Sequence, residues 1–210
     1  MPTARASATA TVAALLLLLT PPVVAAQPGE ALGGWAIDLR AAVGALPTAA
    51  GWTPALETGG GVPGRGFGAE AGVHLLAGPG RHKRLSLGAS GFGVQGRTSN
   101  AESSVTVTTR MLAAAPHLAV NFGHRQGWSY VSAGAGAATV TSTIDGEPDD
   151  GAGWGLVVHY GAGARWFVRE HLAVSMDLRF WALTPRGAST SRPNAGATTR
   201  VLFSAGVAVR

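Results

Sequence analysis

The segment HLAVSMDLRFWAL, residues 171–183, places an acid, Asp177, two residues before a base, Arg179. Asp38 and Arg40 repeat that spacing near the start of the chain, and Glu70, His74, His159, Arg165 and Arg200 are spread over other segments of similar texture. Carboxylates, imidazoles and guanidiniums in such a set can serve three kinds of chemistry. They can activate a nucleophile, which needs a His within reach of a Ser or Cys and an acid to orient it. They can ligate a metal. Or they can pair with one another where water is scarce, since an unpaired buried charge costs several kcal/mol. The chain has no Cys, which removes thiolate nucleophiles, thiolate metal sites and disulfides. His159 has neither Ser nor acid near it in sequence, His171 reads as the end of a tight turn, and the six His are dispersed. Mutual pairing is the chemistry left.

The elements that must position these residues alternate with a period of two, the mark of strands with one apolar face. In 171–183 the apolar positions are Leu172, Val174, Met176, Leu178 and Phe180, with Ala173, Ser175, Asp177, Arg179 and Trp181 opposite. Seven further segments read in the same way: 34–43, 66–76, 84–95, 104–122, 128–141, 154–168 and 198–210. Within 84–95, Phe92 and Val94 fall out of step with Leu85 and Leu87, which predicts a bulge or kink near Gly91. Within 104–122, Val105 and Val107 are likewise out of step with Leu118, Val120 and Phe122. The connectors are long at 44–62, short at 78–83, intermediate at 96–103, short at 123–127, long at 142–153, tight at 169–171 and long at 184–197. Such alternation is the wiring of a transmembrane barrel, with short periplasmic turns and longer outer loops.

Composition agrees. Charged residues make up 13% of the chain and Gly contributes 31 of 210 residues, against averages of about 25% and about 7%. Each interior Gly costs a helix roughly 1 kcal/mol, so this is not the composition of a helical protein. The net charge of +5 comes from arginines spread thinly, without a basic run, and nucleic acid is not expected as a partner. Residues 1–26 read as a secretory signal peptide: a basic start at Arg5, an apolar core over 12–19, Pro21-Pro22, then Val24-Ala25-Ala26 before Gln27. That apolar core falls short of the ~20 residues needed to span a membrane. Residues 27–33 form a short N-terminal segment, and 34–210 one barrel domain.

Alternation alone does not say which face is outside. The polar face is too sparsely charged for a water-facing surface, and its Gly, Ala and Ser suit the cramped interior of an eight-stranded barrel. Asp38, Arg40, Glu70, His74, His159, Arg165, Asp177, Arg179 and Arg200 nearly all share that parity, with mixed signs. They read as a charge network inside the lumen, with charges that merely solubilise one sheet face as the alternative. Trp35, Phe122, Trp128 and Trp166 fall near strand ends on the periplasmic rim, the place of an interfacial aromatic girdle.

The stretch YGAGARWFVREHLAVSMDLRFW, 160–181, carries Gly161, Gly163, Arg165 and Trp166, a tight turn, then Asp177, Arg179 and Phe180; YVSAGAGAATV at 130–140 is a Gly-rich strand before it. On these residues the chain resembles the outer-membrane β-barrel domain family, small barrels such as OmpX and the N-terminal domain of OmpA. The resemblance covers the C-terminal half by motif and the N-terminal half by pattern. It implies an all-β fold, an eight-stranded antiparallel up-and-down transmembrane β-barrel in the bacterial outer membrane. The family's C-terminal pattern is met at Ser204, Gly206 and Val209, but the chain stops at Arg210 before the aromatic that should follow. Barrels of this size include a lipid A deacylase with His-x-Ser-Asn on a late strand, and RPNAGA at 192–197 is similar to part of that region. Here, however, LRFWAL stands where the His and Ser should be, and no His-x-Ser occurs anywhere.

Three further stretches carry residues suited to binding chemistry. RHK at 81–83 reads as a solvated basic turn. IDGEPDDGAG at 144–153 offers Asp145, Glu147, Asp149 and Asp150 without the fixed spacing of a calcium loop. It reads as a solvated acidic loop, with weak binding of a divalent or lipopolysaccharide-bridging cation as the alternative. ETGGGVPGRGFG at 57–68 lacks the Lys-Ser/Thr ending of a phosphate loop and reads as an outer loop. The expectation is a non-enzymatic integral outer-membrane barrel without catalytic site, cofactor or metal. It would have a polar, largely plugged lumen and a structural or surface-interaction role. A narrow channel for ions or small solutes and a secreted soluble barrel binding an apolar ligand are the alternatives. Its partners would be outer-membrane lipid and lipopolysaccharide, and the barrel-assembly machinery during insertion; the chain would be a monomer.

Overall fold

A computed structural model describes residues 34–49, 52, 61–77, 83–99, 105–124, 126–148, 153–186 and 193–210. The expected signal peptide at 1–26, the segment 27–33 and parts of the stretches at 57–68, 81–83 and 144–153 lie outside the described residues. The strands are β1 (Trp35–Ala45), β2 (Arg65–Ala77), β3 (Lys83–Ser99), β4 (Thr106–His124), β5 (Gly127–Ile144), the two-residue β6 (Glu147–Pro148), β7 (Gly155–Arg169), β8 (Leu172–Leu183) and β9 (Thr198–Val209). β6 folds back on the outer end of β5 through Asp145 and Gly146, both at positive φ, 51° and 93°. Asp-Gly tolerates that conformation, which a tight hairpin requires. Asp145 Oδ1 also accepts the Thr106 N–H at 2.8 Å, tying this hairpin to β4.

Each long strand pairs antiparallel with the next along the chain, and β1 pairs with β9, from Ile37↔Val209 to Gly44↔Leu202. Closure leaves no edge among the eight long strands, so their backbone groups bond within the sheet, as a lipid environment demands; the β4–β5 ladder is interrupted at Ala115 and Pro116. The result is an eight-stranded antiparallel up-and-down barrel.

The apolar residues point out. Leu118 is 67% exposed, and Leu39, Phe67, Leu85, Leu156 and Phe203 share the outer wall with it, while polar residues of the opposite parity are buried. The outward apolar runs, such as Leu112 to Phe122 on β4 and Val201 to Val209 on β9, match the roughly 9–11 residues a tilted strand needs to cross a bilayer. A soluble barrel would bury this belt, so the soluble alternative is set aside.

The expected kink near Gly91 is absent. β3 pairs with β4 in unbroken register from Lys83↔Phe122 to Ser99↔Thr106, and Phe92 and Val94 are buried in the lumen in step with Ser86 and Ser90. β4 also keeps one phase throughout, with Val107 inward and Leu118 outward. The apparent slips are places where the chemistry of the lumen changes from polar to apolar. A register shift does occur between Phe167 and Arg169, beside the tight turn into β8.

Candidate functional site

The lumen is stratified. Near the tight-turn end lies an aromatic layer in which Trp128 and Tyr130 pack with Ala36, Leu76 and Ala119, and Phe167 packs against it. Near the long-loop end lies an apolar layer that includes Phe92, Met111, Val140, Trp181 and Leu202, together with Trp52 from the loop after β1. Trp52 donates Nε1–H to the Gly196 carbonyl at 2.9 Å, which fixes it against the segment before β9.

Between these layers sits the charge network. Asp38 Oδ1 accepts from Arg165 Nε at 2.9 Å and Ser175 Oγ at 2.8 Å, and lies 2.7 Å from Arg40 Nη2. Its Oδ2 lies 3.1 Å from His74 Nε2. Arg40 donates Nε–H to Ser175 Oγ at 2.8 Å and Nη2–H to the Tyr130 hydroxyl at 3.0 Å, and its Nη1 is 3.5 Å from Glu70 Oε1. Tyr130 in turn donates to Asp177 Oδ2. Arg179 donates Nε–H to Asp177 Oδ1 at 2.8 Å and Nη1–H to Ser90 Oγ, and Ser204 donates to Glu70 Oε2. His74 Nδ1 and His117 Nε2 share a hydrogen bond at 3.3 Å.

Three carboxylates face three guanidiniums, and the set draws a side chain from every long strand: β1 (Asp38, Arg40), β2 (Glu70, His74), β3 (Ser90), β4 (His117), β5 (Tyr130), β7 (Arg165), β8 (Ser175, Asp177, Arg179) and β9 (Ser204). The small residues of 160–166 make this possible. A Cβ on Gly163 would collide with the Tyr130 hydroxyl, and one on Gly161 would lie 2.9 Å from Arg179 Cγ. Their absence is the space these two side chains use.

The nine expected network residues are not all together. Asp38, Arg40, Glu70, His74, Arg165, Asp177 and Arg179 form the core. His159 is buried beside it, stacked on Trp181 at 4.4 Å and edge-on to His117 at 5.8 Å. Arg200 stands at the outer end of β9, half-buried, where its Nη2 donates to Thr198 Oγ1 at 2.6 Å. Trp35, Phe122 and Trp166 face outward at the tight-turn rim, 43%, 41% and 51% exposed. Trp128 does not: it is 2% exposed and inside the lumen. This corrects its expected place in the girdle, for it shares parity with Tyr130, Ser132 and Gly134, the inward side of β5. Sequence reasoning missed Tyr130, Ser90, His117, Ser175 and Ser204 as network members. Parity would have found Ser175 on the strand of Asp177, whereas the supposed slip in β4 concealed His117.

Arrangement limits the chemistry. Ser175 Oγ is held by Asp38 and Arg40, with the carboxylate between it and His74, so no imidazole faces the hydroxyl. Among the described residues, no group of three His, Asp or Glu side chains has the geometry of a metal site. Arg210 caps the last turn: its Nε donates to the Glu170 carbonyl at 2.9 Å and its guanidinium lies 3.9 Å from the Phe167 ring centre.

No protein-family model matches the chain, and no curated protein matches it. Solved structures do. Neisserial surface protein A aligns with 84% of this chain and 97% of its own, at 13% identity and a TM-score of 0.50. Ail of Yersinia pestis, in complex with the heparin analogue sucrose octasulfate, aligns over 83% and 97% at 10% identity and a TM-score of 0.49. OprG from Pseudomonas aeruginosa aligns over 85% and 96% at 12% identity and a TM-score of 0.43. The likeness to the neisserial protein is one of fold. With the apolar belt and the polar interior, it makes this chain a small eight-stranded barrel of the bacterial outer-membrane type.

Proposed function

We propose that this barrel is a non-enzymatic, monomeric outer-membrane protein whose lumen is a plugged structural strut and whose work is done at its outer surface. The observation that carries this reading is the single charge-balanced network reaching all eight long strands, sandwiched between two apolar layers. Groups spent on one another, with no exposed face, are neither presented to a substrate nor arranged along a hydrated path. Outer-membrane lipid and lipopolysaccharide surround the wall, and the barrel-assembly machinery inserts the chain. The test is single-channel recording of the purified barrel in planar bilayers. The expected result is a silent bilayer containing folded protein; sustained, reproducible openings favour the narrow channel and overturn the plugged lumen.

A further inference from the structure

Arg65 on β2, Arg97 on β3 and Arg110 on β4 all point outward at the long-loop end of the barrel. Gln95 pairs with Phe67 and with Arg110 across the sheet, so continuing the same register sets Arg97 opposite Arg65. The three cations therefore form one patch on adjacent strands, just above the point where the outer wall turns apolar at Phe67 and Leu112. Among the described residues none of the three is paired with a carboxylate; Arg110 is instead oriented by Gln95 Oε1, which accepts from its Nε and Nη2 at 3.2 and 2.8 Å. A neutral partner fixes the guanidinium and leaves its charge unspent. Four residues further down the same strands, about 13 Å at strand rise, the wall is indented. A shallow, open groove of about 370 Å³ runs over Ala69, Ala71, Gly91, Gly93 and Ala114, flanked by Leu112 and Trp154.

We propose that this patch and groove bind one molecule of the phosphorylated, multiply acylated glycolipid of the outer leaflet. Its phosphates sit on Arg65, Arg97 and Arg110, and an acyl chain lies along the Ala/Gly floor. Charge complementarity selects an anionic headgroup. The patch spans two inter-strand spacings, about 10 Å, wider than one phosphate, which favours a headgroup with two phosphates over a single-phosphate phospholipid. The 13 Å drop from patch to floor fits within one leaflet of a ~30 Å hydrocarbon core. The long-loop end is the outer side of such barrels, where this glycolipid resides. The site rests on the membrane placement and not on the plugged lumen, so a conducting barrel would leave it intact.

The test is native mass spectrometry of the full barrel released from mild detergent after exposure to bisphosphorylated lipid A, its monophosphorylated form or phosphatidylglycerol. One bisphosphorylated lipid A should be retained per barrel, with weaker retention of the other two. A juxtamembrane cation is worth about fivefold in affinity, so Arg65→Gln/Arg97→Gln/Arg110→Gln should weaken retention on the order of a hundredfold. Ala71→Leu/Ala114→Leu, which fills the groove without touching charge, should weaken it as well. The heat-dependent gel shift of the folded barrel should be unchanged in both variants; if the triple variant loses it, Arg97→Gln alone takes its place, with about a fivefold loss expected. Equal retention by wild type and the arginine variant, or phosphatidylglycerol held as well as lipid A, overturns the proposal. So does a groove variant that retains lipid A as tightly as wild type.

Discussion

Tyr130 joins two halves of the lumen. Its hydroxyl accepts from Arg40 and donates to Asp177, its ring lies 4.5 Å beneath the Arg165 guanidinium and 5.4 Å from the His74 ring, and it packs with the aromatic layer of Trp128. Tyr130→Phe keeps the ring and removes only the bridge, leaving Arg40 Nη2 with Asp38 and Asp177 Oδ2 with Arg179, each with one partner fewer. Losing a hydrogen bond to buried charged groups costs about 1–3 kcal/mol, and the urea midpoint of the vesicle-inserted barrel, read by gel shift, should fall accordingly. An unchanged midpoint would mean that the bridge adds nothing to stability. Tyr130 was hard to see in the sequence because YVSAGAGAATV reads as a strand of small residues. Nothing in that segment shows that Gly163, two strand positions from the Arg165 it accompanies, is there to admit a ring from the neighbouring strand.

At the scale of the strand, alternation carried most of the fold. The outward sets of β1, β7 and β9 stand where their parity put them, because the period of two is a property of the backbone and survives any tertiary context. What parity does not carry is the chemistry of the face. An interior that turns from polar to apolar along one strand looks the same, in sequence, as a strand that slips by one residue. Phe92, Val94 and Val107 were misread for that reason, and Trp128 for the related one that a bulky aromatic near a strand end suits either a girdle or a plug. The outer belt yields a sharper test of orientation. Leu118 faces outward close to the middle of the apolar run on β4, whereas Thr108 shares its parity near the outer end. An Arg on the lipid face costs about 2–4 kcal/mol at the midplane and about 0–1 near the interface. Leu118→Arg should therefore lower unfolding stability in lipid by that larger amount, and Thr108→Arg should leave it nearly unchanged. Equal effects of the two would place the bilayer elsewhere on the wall.

For the molecule as a whole, the three lumen layers lie in series along one axis, and a path for ions exists only where every layer is open. Phe92 and Trp181 meet edge to face at 4.9 Å in the outer layer, and Trp128 packs on Phe167 at 4.9 Å in the inner one. Truncating either layer alone leaves the charge network bonded across all eight long strands, with its three acids and three bases still neutralising one another. Phe92→Ala/Trp181→Ala should accordingly unfold more easily, since removing a large buried aromatic costs about 3–5 kcal/mol, yet remain silent in a planar bilayer. Trp128→Ala should also remain silent. Openings should arise only when both apolar layers are truncated and Arg40 and Asp177 are replaced together by Ala, which keeps the remaining charges balanced while emptying the centre of the network. The sequence of variants separates a plug from a gate: a single hinged barrier would yield conductance when its own layer is cut, whereas three packed layers yield it only in combination. Sustained current from either single-layer variant would assign the block to that layer and reduce the charge network to a lining of the path.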